Sequence, residues 1–222
     1  LSLHDALPIC ERPACTTPSG RARLVTAMSS PRIGVLALQG DFREHIATLA
    51  AIGVEAFEVR RLAELDQCDG LVIPGGESTV MQRLAQAYGL FEPIQSKIRS
   101  GLPVFGTCAG LIMLADKITD GILGQQTFGG LPVTVRRNAF GNQLDSFETD
   151  LAFRGITGPV HAAFIRGPLI ESVDPGVEVL SQLHDGRIVA ARYGNLLGIS
   201  FHPEVTGEKR IHELFVAMVA NA

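Results

Sequence analysis

The sequence lacks three features that would each assign it to a broad class of protein. No uninterrupted apolar run approaches the roughly 18 residues that a membrane-spanning helix needs. A formal net charge of −4 offers no basic excess for nucleic acid or an acidic membrane surface. The four cysteines, Cys10, Cys15, Cys68 and Cys108, have neither paired spacing in the body of the chain nor the neighbours of a zinc site. We therefore expect a soluble, cytoplasmic protein without membrane or nucleic-acid partners.

The composition is that of an ordinary globular chain. Of 222 residues, 46% are hydrophobic and 19% are charged, which is enough to bury a sizeable single core. Residues 1–30 differ, because they mix Pro, Ser, Thr and Arg without helical or strand periodicity. We interpret them as an extension upstream of a natural start at Met28, with a transit peptide as the alternative. Residues 31–222 are expected to form one domain.

Strands and helices alternate in the first half of that domain. Short β-branched or apolar runs are each followed by a stretch with helical periodicity. Such alternation favours a parallel sheet with helices on both faces. Strands are predicted at 32–38, 54–59, 69–76 and 102–106, and helices around 46–50 and at 77–90, 91–101 and 109–115.

The second half changes character. Short strand candidates separated by Gly, Pro, Asp and Asn suggest antiparallel additions to the sheet. A final helix is indicated by apolar residues at helical spacing from Ile211 to Val219, with Thr206 as its N-cap. The strand candidates are 131–137, 160–166, 177–183, 187–193 and 196–201.

A cysteine stands between two glycines at the junction of a predicted strand and helix. The stretch Gly106-Thr107-Cys108-Ala109-Gly110 has the G-x-C-x-G layout of a nucleophile elbow. There the central residue is strained, the helix N-terminus favours a thiolate, and the next backbone N–H faces a developing oxyanion. The alternative is a buried cysteine acting as a small hydrophobic residue.

A cysteine nucleophile needs a base and a group that orients the base. In GISFHPEV, His202 follows an apolar strand and Glu204 comes two residues later, so Glu204 could hold the second ring nitrogen. The alternatives are a loop histidine with an incidental acidic neighbour, or a His/Glu metal pair for which no further ligand is evident. His202 is therefore the favoured base.

The remaining histidines are weaker candidates for a base. His45 and His212 lie on predicted helices, where a solvated or internally satisfied histidine is the simpler interpretation. His161 and His184 lie near strand starts or turns without a carboxylate close in sequence, and His4 belongs to the extension.

The third element is Pro74-Gly75-Gly76-Glu77-Ser78-Thr79. Paired glycines at a strand end permit close backbone approach and point N–H groups outward, as an oxyanion hole or an anion nest does. The alternative is a plain strand-to-helix turn. A phosphate-binding loop is excluded because no G-x-x-x-x-G-K-[ST] motif occurs.

Several stretches occur together in an order that resembles one enzyme family. FGTCAG, PGGES and FHPE resemble class I glutamine amidotransferases with a Cys-His-Glu triad. IGVLALQGDFREH, PGGEST, RRNAFGNQLDSFE, FIRGP and GISFHPEVT are similar to the glutaminase subunits of pyridoxal 5′-phosphate synthase, the PdxT/Pdx2 family. The resemblance runs from about Arg32 to the C-terminus. It implies a three-layer α/β fold with a mostly parallel central sheet, antiparallel additions and helices on both faces.

The resemblance also implies a reaction, the hydrolysis of L-glutamine to L-glutamate and ammonia for vitamin B6 biosynthesis. Cys108 would form a glutamyl thioester, His202 would transfer protons, and Glu204 would orient His202. The backbone N–H groups of Gly76 and Ala109 would hold the oxyanion. The implied partner is a separate PdxS/Pdx1-type synthase subunit, and neither a cofactor nor a metal is implied.

The resemblance further implies a set of substrate-binding residues. They are expected to contact L-glutamine, whose α-carboxylate suits an arginine. Physics alone does not separate Arg136 from Arg137, and the family pattern selects Arg137. Gln39 and Gly40 correspond to a loop near the oxyanion site that is expected to rearrange when the synthase docks. The expected glutamine-binding residues are Gly75, Gly76, Glu77, Arg137, Ile165 and Arg166.

Two positions depart from the family pattern, and two other functions stay open. Asp41 stands where a small residue is often found, and Val205 replaces the usual leucine. Neither is expected to touch the triad.

One alternative function is a non-catalytic regulator that binds the synthase. Another is a cysteine hydrolase of peptides or small esters, although the PGGES and RRNAFGNQ stretches favour a pocket for a small amino acid.

Overall fold

The computed structural model describes residues 30–137, 139 and 146–222. Residues 1–29 of the predicted extension lie outside the described residues, and so do residues 138 and 140–145 of the RRNAFGNQLDSFE stretch. Among the residues described, no helix has the length and apolar character that crossing a membrane requires.

Strands and helices follow one another along the described chain in an order that begins with the predicted alternation. The strands are β1 (Ile33–Leu36), β2 (Ala56–Val59), β3 (Gly70–Ile73), β4 (Val104–Thr107), β5 (Ala115–Thr119), β6 (Leu131–Arg136), β7 (Phe147–Leu151), β8 (Val160–Phe164), β9 (Leu169–Val173), β10 (Glu178–Gln182), β11 (Ile188–Tyr193) and β12 (Leu196–Ile199). The helices are α1 (Phe42–Ala51), α2 (Leu62–Leu65), α3 (Ser78–Ala87), α4 (Phe91–Arg99), α5 (Ala109–Leu114), α6 (Pro203–Thr206) and α7 (Arg210–Ala220).

Ten strands form the central sheet, in the order β2-β1-β3-β4-β12-β11-β9-β6-β5, with β10 also paired to β11. The five strands from β2 to β12 are parallel. Strands β11, β9 and β10 join by antiparallel pairing, and β6 pairs antiparallel with β9 and parallel with β5. The expected mostly parallel sheet with antiparallel additions is confirmed.

Buried apolar side chains form one layer on each face of this sheet, because successive strand residues point to opposite faces. Val104 belongs to the layer that contains Ile94 of α4. The next residue, Phe105, belongs to the opposite layer together with Leu49 of α1 and Phe215 of α7. Helices therefore cover both faces, and the expected three-layer architecture is confirmed.

The pairing of β4 with β12 determines where the functional side chains meet. The two strands are parallel neighbours, and Thr107 is opposite Ile199. Cys108 follows β4 directly, and His202 lies three residues beyond Ile199. Parallel strands end at the same edge of a sheet, so two residues 94 positions apart in sequence (202 minus 108) converge there.

Two predictions for the second half are wrong. The strand at 160–166 does not join the central sheet, because β8 pairs with β7 in a separate two-stranded sheet. The Phe164 ring stacks on Phe147 and packs at 5.5 Å from Phe201, so the hairpin covers one face of the main sheet. Thr206 does not cap α7: it ends α6, and the left-handed Gly207 separates it from α7, whose N-cap is Lys209.

Candidate active site

The backbone at Cys108 is strained in the way that the sequence predicts. Its φ of 49° and ψ of −104° are unusual for a non-glycine residue, and such a conformation costs about 1–3 kcal/mol. The Cys108 N–H donates to the Ile199 carbonyl at 2.9 Å, which anchors the turn. A Cβ atom on Gly106 would lie 2.6 Å from the Gly110 carbonyl carbon, and one on Gly110 would overlap the Ile73 carbonyl oxygen. The two glycines thus let α5 start directly against the sheet.

A buried histidine and a buried carboxylate lie beside this cysteine. The His202 Nδ1 atom is 2.7 Å from Glu204 Oε1, and His202 lines the same cavity as Cys108. The His202 N–H donates to the Ala163 carbonyl at 3.0 Å, which fixes the start of α6. Burial lowers the pKa of His202, but the hydrogen bonds and negative charges of Cys108 and Glu204 outweigh it and raise the pKa to about 10. This environment favours a protonated imidazole.

The paired glycines after β3 lie against the histidine and against the loop that follows β1. A Cβ atom on Gly75 would overlap the His202 ring, so the missing side chain admits the imidazole. Gly76 has a φ of 139° and lies beneath the Gln39 side chain, whose Oε1 accepts the Glu77 N–H at 2.9 Å. Gly40, with a φ of 88°, approaches the Gly75 carbonyl too closely for any side chain. The two loops are therefore in direct contact.

The cysteine opens into a cavity of about 480 Å³. Eight residues predicted from the sequence line it, while the predicted Gly40, Gly75, Ala109 and Glu204 are not among its lining residues. Four lining residues were not predicted as site residues: Asp41, Ser78, Ile112 and Val205. The predicted lining residues are Gln39, Gly76, Glu77, Cys108, Arg137, Ile165, Arg166 and His202.

The two consecutive arginines have different environments. Arg137 lines the cavity, where Nη2 donates to Glu77 Oε1 at 2.8 Å and Nη1 donates to Gln125 Oε1 at 2.7 Å. Arg136 is half exposed and pairs instead with Glu171. Of the two arginines, only Arg137 lines this cavity, and Gln125 supports it, which the sequence did not reveal.

Glu77 connects this arginine to the start of α3. It is the N-cap residue, and its Oε2 accepts the Val80 N–H at 2.7 Å. Burial raises the pKa of Glu77, but hydrogen bonds from Val80 and Thr79 and the charge of Arg137 together lower it below its usual value. The cavity wall therefore carries an ionised carboxylate beside a guanidinium.

The expectation that Asp41 does not touch the triad is wrong. Its Oδ2 atom lies 3.6 Å from His202 Nδ1, the same nitrogen that Glu204 engages. The left-handed Gly40 turns the chain over Gly75 and brings the N-cap position of α1 to the histidine. A sequence signal existed, because Asp41 follows β1 at the edge where parallel strands end.

Asp41, His202 and Glu204 also place three possible metal-ligand atoms within 4.8 Å of one another. Two ligands of a tetrahedral zinc ion lie about 3.3 Å apart when each bond is near 2.0 Å. The 2.7 Å contact between His202 and Glu204 is shorter and fits a shared proton. The arrangement is therefore better suited to proton transfer than to metal binding.

The histidines outside this cavity have other partners. His45 and His212 are fully buried and contact each other at 2.9 Å between ring nitrogens, in line with the internally satisfied interpretation. His161 is exposed, and it lies between Asp150 at 2.9 Å and Glu148 at 3.1 Å on the neighbouring strand. Asp150 and Glu148 are distant from His161 in sequence, and they reach it only because β7 pairs with β8.

Comparisons with known proteins agree with one another. The sequence model of the SNO glutamine amidotransferase family matches residues 35–221. A curated relative from Nocardioides sp., "Pyridoxal 5′-phosphate synthase subunit PdxT", is 57% identical over 86% of this chain and 97% of its own length. A relative of the same name from Leifsonia xyli subsp. xyli is 59% identical over 86% of this chain and 96% of its own length.

Solved structures have the same fold. A crystal structure described as a glutamine amidotransferase superposes with a TM-score of 0.80 at 45% identity, covering 85% of this chain and 98% of its own. A structure of PurLQS from Thermotoga maritima gives a TM-score of 0.64 at 18% identity, covering 85% of this chain and 98% of its own, and supports the fold alone. With a family match across most of its length and relatives above half identity, this chain belongs to the SNO glutamine amidotransferase family.

Proposed function

We propose that this chain hydrolyses L-glutamine to L-glutamate and ammonia and supplies the ammonia for pyridoxal 5′-phosphate synthesis. The observation that carries the proposal is that Cys108 and His202 line one cavity while Glu204 holds the His202 ring at 2.7 Å. The names of the relatives, each a subunit of pyridoxal 5′-phosphate synthase, support the biosynthetic role.

Acyl transfer begins at Cys108. Its thiolate, paired with protonated His202, attacks the side-chain carbonyl carbon of glutamine and forms a C–S bond. His202 gives its proton to the amide nitrogen, and the C–N bond breaks. Ammonia departs, and the glutamyl group remains on the sulfur as a thioester. His202 then takes a proton from water, whose oxygen attacks the thioester and releases glutamate. Glu204 holds the ring by its Nδ1 atom throughout, so the other nitrogen faces the reacting atoms.

The tetrahedral intermediates need donors for their oxyanion. Ala109 is the first residue of α5, so its N–H has no acceptor within the helix. Gly76, which lines the cavity, supplies the second N–H. Loss of one such donor raises the barrier by about 3 kcal/mol. Because Gln39 lies against Gly76, a movement of the 39–41 loop would alter this donor.

Substrate recognition uses the charged wall of the cavity. Arg137 and Arg166 offer guanidinium groups to the α-carboxylate of glutamine, and Glu77 offers a carboxylate to the α-ammonium. Gly76 and Ile165 line the space for the substrate, and Gly75 contributes indirectly by leaving room for the His202 ring. A cavity of about 480 Å³ suits one amino acid rather than an extended peptide.

The partner is a separate synthase subunit of the PdxS/Pdx1 type, working with residues 31–222 as one glutaminase domain. Ile165 and Val205 are large apolar side chains that line the cavity yet remain 40% and 54% exposed. Their position would let a docked synthase contact the rim of the cavity and the 39–41 loop together. The interpretation of residues 1–30 as an upstream extension stays a prediction from their composition.

Replacing the nucleophile tests the chemistry. We expect Cys108→Ser to lower glutamate release at least about a thousandfold, since a serine hydroxyl has no comparable anion at neutral pH. Glutamate is measured from L-glutamine with the full chain, alone and with an equimolar PdxS/Pdx1-type subunit, and the synthase is expected to stimulate the wild type. Cys68→Ser is the matched control and should retain wild-type activity, because Cys68 lies outside the cavity.

Full activity in Cys108→Ser would remove Cys108 from the mechanism. No glutamate from the folded wild type, with synthase present and bound, would instead favour a non-catalytic binder. Cleavage of simple esters without glutaminase activity would favour the general hydrolase.

The protonation of His202 can be measured directly. In the wild type, the imidazole signals of His202 should titrate near pH 10 in NMR spectra, well above the usual 6.5. In Cys108→Ala, burial persists while the hydrogen bond and charge of the sulfur are lost, so we expect the pKa to fall. Cys68→Ala should leave it unchanged. An unaltered His202 titration in Cys108→Ala would contradict the ion pair.

The two arginines provide a matched pair of variants. Arg137→Gln should raise the KM for glutamine by about tenfold to a hundredfold, because a charge-assisted hydrogen bond contributes about 1.5–3 kcal/mol. Arg136→Gln should leave KM within about twofold, since Arg136 pairs with Glu171 outside the cavity. Steady-state kinetics of glutamate release measure both. The reverse ranking of the two variants would assign substrate binding to Arg136.

A further inference from the structure

Two imidazoles lie in the core on the side of Glu204 that faces away from the cavity. His45 comes from α1 and His212 from α7, and both are fully buried. Nδ1 of His45 is 2.9 Å from Nε2 of His212. Nε2 of His45 is 3.1 Å from Thr107 Oγ1 and 3.6 Å from Glu204 Oε2. Contacts therefore extend from Glu204, one of the proposed catalytic residues, into the core through His45 and His212.

The Glu204 oxygen that faces His45 is otherwise without support. Oε1 of Glu204 bonds to His202, while Oε2 is buried and has no hydrogen-bond partner among the described residues. A carboxylate oxygen removed from water is costly when no polarised N–H or O–H group is directed at it. At 3.6 Å, the N–H dipole of His45 can stabilise this oxygen electrostatically without a full hydrogen bond.

Both imidazoles are neutral at neutral pH. Burial, reinforced by the charges of His212 and His202, holds the pKa of His45 well below its usual value. Burial lowers the pKa of His212 to about 4, although the Glu208 carbonyl and carboxylate act in the opposite direction. Each ring then carries one proton, and the 2.9 Å contact requires one donor and one acceptor.

Two proton arrangements satisfy that contact, and the charge of Glu204 distinguishes them. If Nε2–H of His212 donates to Nδ1 of His45, the second nitrogen of His45 carries a proton and presents it to Thr107 and Glu204. The reverse arrangement directs a lone pair at the carboxylate. A hydrogen bond from His212 Nδ1–H to the Glu208 carbonyl would favour the reverse arrangement. However, His212 Nδ1 makes no hydrogen bond among the described residues. A neutral carbonyl is also a weaker acceptor than a carboxylate.

We propose that His45 is a positioning residue for Glu204, with its Nε2–H bonded to Thr107 Oγ1 and its N–H dipole facing Oε2, and with His212 fixing that tautomer. The inference rests on the proposed function, since Glu204 acts there only by orienting His202. Support at Oε2 keeps Oε1 directed at His202 and so maintains the protonated imidazole beside Cys108. His45 and His212 touch no substrate in this scheme.

The groups around His45 come from three elements and from the residue before α6. Thr107 faces it from β4, Glu204 from α6 and His212 from α7, while the more distant His202 acts through its charge. The Phe105 ring meets His45 edge-on at 6.2 Å. None of these groups adds a negative charge other than Glu204 itself, so removal of His45 should act mainly on Glu204 and, through it, on His202.

Substitutions at position 45 test the role. His45→Leu should lower kcat for glutamate release, measured with the synthase subunit, about tenfold to a hundredfold, as loss of a supporting group commonly does. KM should stay within about twofold. The alkaline limb of the pH profile should move to lower pH, because a less firmly held Glu204 stabilises protonated His202 less. His45→Gln, whose amide can direct an N–H at Oε2, should recover most of kcat.

A control variant on the same helix separates positioning from packing. Thr48 is also buried on α1, but its hydroxyl donates to the Glu44 carbonyl. Thr48→Val should therefore keep wild-type kcat and pH limbs. Equal losses in Thr48→Val and His45→Leu would overturn the proposal, and so would unchanged kcat and pH limbs in a folded His45→Leu.

The tautomers can be measured in the wild type itself. In ¹⁵N spectra of the histidine-labelled wild type, His45 should show the Nε2–H form, and its signals can be assigned with His45→Gln. An Nδ1–H form of His45 would overturn the proposal even if the Leu variant does not fold. If the wild type shows the Nε2–H form but releases no glutamate with bound synthase, the proposed function fails, and the positioning role that rests on it is overturned as well.

Discussion

The close approach of α5 to the end of β3 is the constraint on which the site depends. It exists because Gly110 has no side chain to overlap the Ile73 carbonyl, and because Gly106 leaves room for Gly110. The chain can then reverse within one residue, and Cys108 takes up the strain with a φ of 49°. A nucleophile held this way needs no mobile loop to present its sulfur. The cost of the turn is met by the buried strands and helices on either side.

The electrostatics follow from where the strands end. Adjacent β4 and β12 bring Cys108 and His202 together, and the short α6 returns Glu204 to the same ring. On one side the ring faces the cavity, where Asp41 adds a second carboxylate near Nδ1. On the other side Glu204 faces the neutral histidine pair in the core. Charge is thus concentrated around His202, while the proposed support behind Glu204 carries none.

Sequence reasoning succeeded where a local pattern reflects a local physical requirement. The alternation of strands and helices predicted the parallel half of the sheet, and the G-x-C-x-G stretch predicted the strained turn at Cys108. The resemblance to glutamine amidotransferases identified a family that the comparisons confirm. The roles given to individual side chains came from that resemblance and stay proposals.

The failures concern contacts between residues distant in sequence. Nothing in 160–166 indicates that this strand pairs with β7 instead of the main sheet. Thr206 is a residue type that often caps helices, but it ends the short α6 and does not cap α7. Asp41 reaches His202 only because Gly40 and Gly75 approach each other. The contact between His45 and His212 spans 167 positions, which no periodicity in one sequence could predict.

In the proposed reaction, Cys108 attacks the side-chain carbonyl carbon of glutamine. The most direct measurement is mass spectrometry of the full chain, with its synthase partner, after exposure to a glutamine analogue carrying an electrophilic carbon at the amide position. We expect one adduct, on the peptide that contains Cys108, and its suppression by excess L-glutamine. An adduct on Cys68, or labelling of Cys108 that glutamine does not suppress, would contradict it.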